Sequence, residues 1–329
     1  TFLIMGAKFD WLPIGEATGG PELFHIADGG WMPVMDGRYL DANGLFTAII
    51  GGFIAVEIYR FMLKKGFVIK LPESVPPAIA RSFELLMPIV VVIIIFQPLS
   101  IFVQSKANVM IPELLMGIVR PIIKASDTLP AVLFILLIVH LLWFCGLHGV
   151  NVVVAVINPI ILSNLAENQA ALQAGQQIPR IFAGGFLDAF VYLGGSGATI
   201  GLAIAMALSK NAHMKSIGRL SVVPGIFNIN EPVIFGAPIV MNPVLFIPFL
   251  FVPMINATIA WICLKTGLVG RIVTLVPWTT PSPIAALLAT NFNVMAFVLS
   301  AFLVVLSTIL YLPFLKAYAD ILNKQEAAQ

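Results

Sequence analysis

Charge is scarce in this sequence, and that scarcity decides its class. Only 10% of the 329 residues are Asp, Glu, Lys or Arg, against about 25% in ordinary soluble proteins. Hydrophobic residues make up 59%, and the mean hydropathy is +0.99. A polytopic integral membrane protein is the class that fits. The formal net charge of +2 is too small to serve nucleic acid, so no nucleic-acid partner is expected. Cysteine is nearly absent. Cys145 and Cys263 both lie in apolar runs and read as small buried hydrophobes, not as a disulfide or metal pair. CxxC, Walker A and GxGxxG motifs are missing, so neither a cofactor nor a metal is expected. The opening TFLIM has no charged segment of the kind that begins a signal peptide; the expectation is a start cut from a longer chain.

A spanning helix needs about 20 mainly apolar residues. Such runs occur at 44–63, 84–104, 129–147, 184–208, 243–264 and 292–313. Shorter runs at 149–165, 221–241 and 267–290 are broken by Pro, Gly and Asn. They read as half-helices or re-entrant hairpins. The fold class expected is therefore an all-α polytopic membrane protein with several transmembrane helices plus re-entrant hairpins. Segment 111–125 has an amphipathic period carrying Glu113, Arg120 and Lys124, and reads as an interfacial linker helix. It divides the chain into an N-terminal membrane part, 1–125, and a C-terminal membrane part, 126–329. The basic segments 64–83 and 209–219 should be cytoplasmic, whereas the acidic excess of 1–43 favours the outside. Residues 164–180, rich in Ala and Gln, read as a soluble excursion.

Residues 220–253 are the most informative stretch. They are apolar, yet Pro224, Pro232, Pro238, Pro243, Pro248 and Pro253 recur through them, and Asn228, Asn230 and Glu231 sit in the middle. Proline interrupts a straight helix. A carboxylate and a broken backbone at membrane depth are both tolerated only against protein or a wet cavity. The segment is thus expected to line a substrate cavity, with a surface loop as the alternative. Three other clusters could join it. In WFCGLHGVN, His148 follows an apolar run between Gly146 and Gly149, with Trp143 and Asn151 nearby. His140 lies in a smooth apolar run and reads as a packed histidine. In PWTTPSP, Trp278, Thr279 and Thr280 place an indole and two hydroxyls between prolines. That suits either an interfacial belt or a sugar ring stacked on the indole. In GGSGATIG, the small residues suit close helix packing, and Gly195 and Ser196 are also candidate substrate contacts. The clusters contain no Lys or Arg, which suits a neutral polyol.

The run PGIFNINEPVIFGAPIVMNPVLFIPF, the motif GLHGVN and the later VPWTTPSPIA resemble the membrane component, enzyme IIC, of the bacterial phosphoenolpyruvate-dependent phosphotransferase system. The branch resembled is the lactose, cellobiose and N,N′-diacetylchitobiose one. IKLPESVPPAIARSFELLMP and LYLPFLKAYAD resemble it too. The resemblance implies a multi-pass permease of the bacterial cytoplasmic membrane, surrounded by lipid, that binds a β-linked disaccharide. It implies a homodimer joined through N-terminal helices, and further spanning helices before the first one present here. It also implies that phosphorylated enzyme IIB, with IIA upstream, phosphorylates the C6 hydroxyl of the sugar. The family's functional glutamate then falls on Glu231 and its functional histidine on His148. From the residues alone, Asn228, Asn230, Trp143, Asn151 and Trp278 are the further candidate sugar contacts. A proton- or ion-coupled sugar carrier, with Glu231 and His148 as a relay, is the alternative; it needs no phosphorylating partner.

Overall fold

The computed structural model describes residues 8–13, 31–36, 44–69, 71–72, 75–237 and 239–327. The chain divides into two compact units, Thr1–Pro121 and Ile122–Gln329. The protein is a multi-pass, essentially all-helical membrane protein. Among the described residues five helices are long and apolar enough to cross a membrane.

In the first unit, β1 (Lys8–Pro13) and β2 (Trp31–Asp36) pair antiparallel, from Lys8 opposite Asp36 to Pro13 opposite Trp31. The sequence reading assigned no strands there. Two long helices follow, α1 (Leu45–Lys65) and α2 (Pro77–Ala107). Helix α1 ends where Gly66 turns left-handed at φ 72° and donates its N–H to Leu63 O. Lys64 and Lys65 complement the carbonyl end of its dipole. The core here is small: Val92 and Phe96 pack against Ala55, Ile58 and Ile111. Most other apolar side chains point outward, Phe53 and Ile94 among them. Helices that are apolar all round belong in lipid or against other helices. Helix α3 (Ile111–Ser126) realises the amphipathic segment.

The second unit holds the main core. Helices α4 (Leu129–Phe144), α5 (Gly149–Gln173), α10 (Pro243–Lys265) and α12 (Val294–Ala327) surround shorter broken elements. In chain order these are α6 (Phe186–Phe190), a 3-10 turn (Ser196–Ala198), α7 (Thr199–Ala207), α8 (Ala212–Ile226), α9 (Glu231–Gly236) and α11 (Ser282–Ala289). Helix α7 packs on α8 and α12, and α6 packs on α11.

Several expectations are corrected by this arrangement. Segment 184–208 is not one span. Gly194, Gly195 and Gly197 take φ of 79°, 100° and 82°, and Ala198 is left-handed as well, which breaks the helix. The interrupted run at 149–165 is instead part of the 25-residue span α5, with Pro159 inside it. Pro248 and Pro253 likewise sit within a continuous α10. Residues 164–173 are no soluble excursion. Asn164 and Asn168 are fully buried and tie the next loop to α5. Asn164 donates to Phe182 O at 2.7 Å, and Asn168 donates to Arg180 O at 3.0 Å and to Ile272 O at 2.8 Å. Polarity there satisfies irregular backbone, not water. Cys145 is exposed, not buried.

The glycine loop is locked by its neighbours. Buried His140 accepts the Gly197 N–H on Nε2 at 3.1 Å, and the Tyr311 hydroxyl donates to Gly197 O at 2.7 Å. A Cβ on Gly197 would collide with the Phe249 ring. Gly197→Ala therefore combines overpacking with a left-handed alanine, and should cost about 2–4 kcal/mol. Gly52→Ala, in α1 with open space around it, should be neutral or slightly stabilising. Thermal unfolding of the two purified variants checks the contrast; equal melting temperatures would contradict it.

Candidate functional site

Backbone breaks in the second unit converge on one cavity of about 710 Å³, within the range of small-molecule sites. Its walls come from α5, from α6 and the glycine loop after it, from the turn into α9, and from the stretch 275–278.

His148 owes its place to two glycines. After α4 the chain turns at Gly146, with φ 83°, and re-enters helix at Gly149. A Cβ on Gly149 would collide with the carbonyl of Val139, so only glycine lets α5 begin this close to α4. His148 thereby becomes the N-cap of α5, and its Nδ1 accepts the Asn151 N–H at 3.2 Å. With Nδ1 engaged as an acceptor, Nε2 carries the ring proton and is free to donate. Trp143 supports the ring from behind, with centroids 4.4 Å apart and planes tilted by 45°.

Glu231 opens α9 just before Pro232, a position where proline lacks no helix bond. The structure brings Glu231 Oε1 to 3.9 Å from His148 Nε2, both side chains partly exposed. That gap is too long for a direct hydrogen bond. It is short enough for a single hydroxyl oxygen to lie within about 2.8 Å of both atoms, accepting from the imidazole and donating to the carboxylate.

Asn228 holds the breaks together. Its Nδ2 donates to Trp278 O at 2.6 Å and to Thr280 O at 3.0 Å. Its Oδ1 accepts from the Gly194 N–H at 2.9 Å and from Ser282 Oγ at 3.0 Å. Both donors and both lone pairs of the amide are used. Asn228 lines the cavity as a fastener, with nothing left over for a ligand. Asn230 donates twice to Ser196, to its carbonyl at 2.8 Å and its hydroxyl at 3.0 Å. Its Oδ1 carries no bond among the described residues.

The residues singled out from sequence are therefore placed unequally. His148, Asn151, Gly195, Ser196, Asn228, Asn230, Glu231 and Trp278 all line the cavity, and Trp278 is 55% exposed. Trp143 does not line it; it is buried beneath His148. Thr279 and Thr280 do not line it either; Thr280 contributes its carbonyl to Asn228. Three polar liners were missed from sequence: Asn158, Asp188 and Tyr192. Asp188 is the only acid between Glu167 and Glu231. The argument that selected Glu231, an ionisable group in an apolar stretch, would have found it had 184–208 not been read as an unbroken span.

Residues 2–253 match the family described as "Phosphotransferase system, EIIC". The chain is 38% identical over 306 residues to the lichenan permease IIC component of Bacillus subtilis (strain 168), covering 92% of this chain and 67% of that protein. It is 37% identical over 300 residues to the lactose-specific EIICB component of the phosphotransferase system of Staphylococcus aureus (strain N315), covering 89% of this chain and 53% of that one. The chain thus spans about half to two thirds of these relatives. Among solved structures it resembles the transporter ChbC, the IIC component of the N,N′-diacetylchitobiose-specific phosphotransferase system. The TM-score is 0.87 and the identity 34%, over 100% of this chain and 75% of that one.

Replacing Asn228 by Ala strands two carbonyls, a backbone N–H and a hydroxyl at once. Each stranded buried group costs about 1–3 kcal/mol, so the loss should exceed about 3 kcal/mol after partial relaxation. Thermal unfolding of purified Asn228→Ala checks this. An unchanged melting temperature would show that the side chain fastens nothing.

Proposed function

The chain belongs to the EIIC family of the phosphotransferase system, and on that premise we propose that its cavity holds a β-linked disaccharide and presents one hydroxyl of it for phosphorylation. The observation that carries this reading is the 3.9 Å separation of His148 Nε2 and Glu231 Oε1 at a cavity wall. An alcohol placed between them is oriented by two charge-assisted or neutral hydrogen bonds, and positioning is the main requirement of phosphoryl transfer. Partial exposure of both side chains suits attack on a phosphoryl group carried by a second protein.

The step assigned to this chain is short. The hydroxyl oxygen, the C6 oxygen by family resemblance, attacks phosphorus on the phosphocysteine of enzyme IIB. The O–P bond forms, the S–P bond breaks, and the thiolate keeps the electron pair. Glu231 receives the hydroxyl proton as the oxygen becomes an ester. His148 donates from Nε2 and fixes which lone pair faces phosphorus. Trp278 offers an exposed indole for the sugar face, and Asn230 offers Oδ1 to a hydroxyl. Neither Lys nor Arg lines the cavity, which favours a neutral glycan; the diacetylchitobiose, cellobiose and lactose types are the candidate classes. The outward apolar face of α1 and α2 supports a role for the first unit as a lipid-embedded scaffold that joins two copies of the chain.

Glu231→Gln keeps the size and hydrogen bonding of the side chain but cannot take a proton. Sugar-phosphate formation with phosphorylated enzyme IIB should fall by about 10²-fold or more, with disaccharide affinity changed little. The assay in membrane vesicles reads the product directly. Free sugar accumulated by the wild type in place of sugar phosphate would favour the proton- or ion-coupled carrier. Normal phosphorylation by the variant would remove the base. Trp278→Ala should weaken equilibrium binding of the disaccharide by roughly tenfold, about 1.4 kcal/mol, and Trp278→Phe should recover part of it. Wild-type affinity in Trp278→Ala would leave the indole as an interfacial anchor.

A further inference from the structure

His140 of α4 and Tyr311 of α12 are fully buried, and the chemistry above uses neither. Among the described residues, neither helix contributes to the cavity wall. Yet both side chains reach one residue of the glycine loop, from 57 and 114 positions away. His140 Nε2 accepts the Gly197 N–H at 3.1 Å, and the Tyr311 hydroxyl donates to Gly197 O at 2.7 Å. His140 Nδ1 lies 2.6 Å from Leu136 O, so it carries the ring proton and leaves Nε2 as the acceptor. The His140 ring also meets Phe249 edge-on at 5.0 Å, and the same Phe249 ring fills the space beside Gly197. Apolar side chains would fill this core without the cost of burying polar groups. Both residues instead spend their polar atoms on the loop.

The loop passes this hold on to the reactive pair. Ser196 precedes Gly197 and takes both donors of the Asn230 amide, on its carbonyl and its hydroxyl. The contact is close: a Cβ on Gly195 would overlap the Asn230 side chain. Asn230 is the N-cap of α9, and its carbonyl accepts the N–H groups of Val233 and Ile234 at 3.1 and 3.0 Å. Glu231 is the next residue. On the other side of the gap, His148 rests on Trp143, which lies three residues after His140 on α4. His140 therefore ties the helix beneath His148 to the loop that clamps Asn230. Tyr311 braces the same loop from α12.

We infer that His140 and Tyr311 are positioning residues for phosphoryl transfer. They lock Gly197, so that Ser196 and Asn230 hold Glu231 at the distance from His148 that one hydroxyl bridges. This rests on the reading of the His148–Glu231 pair as the seat of the accepting hydroxyl. A misplacement of about 1 Å from a substitution far from the chemistry costs up to about 10²-fold in rate. Sugar affinity is spread over the rest of the cavity, and neither residue touches it. Loss of either bond to Gly197 therefore acts on the rate of transfer and spares binding.

The test sets the rate of sugar-phosphate formation against equilibrium binding, both on the full chain. The sugars are cellobiose, lactose and N,N′-diacetylchitobiose, and phosphorylated enzyme IIB is the donor. Tyr311→Phe keeps the buried ring and removes one hydroxyl. It should lower the rate at saturating sugar about tenfold or more, and leave affinity within about twofold. His140→Leu should do the same. His140→Gln, whose Oε1 can accept the Gly197 N–H, should recover most of the rate. On a Glu231→Gln background Tyr311→Phe should add no further loss, because residues that act as a unit are not additive. Affinity losses as large as the rate losses, or full rates in both Tyr311→Phe and His140→Leu, would overturn the inference. So would multiplied losses in the double variant. If Tyr311→Phe fails to fold, the two His140 variants decide, and equal rates in them would overturn the role. A wild type that makes no sugar phosphate defeats the proposed function and this role with it. A wild type that makes it, beside fully active variants, defeats the positioning role alone.

Discussion

Irregular backbone cannot lie at membrane depth unless something other than water satisfies it. In this chain the side-chain amide does so, and Asn228 is the central case. One residue takes hydrogen bonds from, or gives them to, the loop before α7, the stretch before α11 and the first residue of α11 itself. The same device recurs at Asn230 on Ser196, and at Asn164 and Asn168 on the loop after α5. Without these fasteners the breaks would expose peptide groups to hydrocarbon. With them, the breaks become walls of a cavity, and Glu231 is held three residues beyond a fully bonded amide.

This division of labour explains why polar residues of one type play different parts. An amide can satisfy two donors and two acceptors at once, which a carboxylate cannot. Asn228 accordingly spends all its bonding inside the protein, and Asn230 spends its two donors there. Among the described residues, the cavity groups with unspent capacity include Glu231, His148 Nε2, Asn230 Oδ1, Asn151, Asn158 and Asp188. These surround the space where a ligand with many hydroxyls would fit. A neutral glycan is the ligand class whose bonding matches that set, and Trp278 supplies the apolar face that such a ring also needs.

Much of the architecture was legible in sequence because lipid imposes coarse rules. Long apolar runs, prolines in the 220–253 stretch and a carboxylate among them were enough to place a broken, cavity-lining segment around Glu231. The pairing of breaks was not legible. Nothing in the spacing of Gly194, Gly195 and Gly197 distinguishes a tight helix contact from a left-handed loop, because glycine serves both. Residues 164–173 misled for the opposite reason: buried asparagines that satisfy peptide groups have the same composition as a polar loop in water. Trp143 was marked as a sugar platform because it lies near His148 in sequence. The helical offset instead puts its ring behind the imidazole, buried and outside the cavity lining.

The account stands on one hydroxyl lying between Glu231 and His148. A crystal or electron-microscopy structure of this chain soaked with cellobiose, lactose or N,N′-diacetylchitobiose measures that directly. The account predicts a primary hydroxyl oxygen within hydrogen-bonding distance, about 2.6–3.2 Å, of both Glu231 Oε1 and His148 Nε2, with the indole of Trp278 against a ring face. A sugar seated in the cavity with its primary hydroxyl turned away from both side chains would contradict it, as would a sugar bound elsewhere.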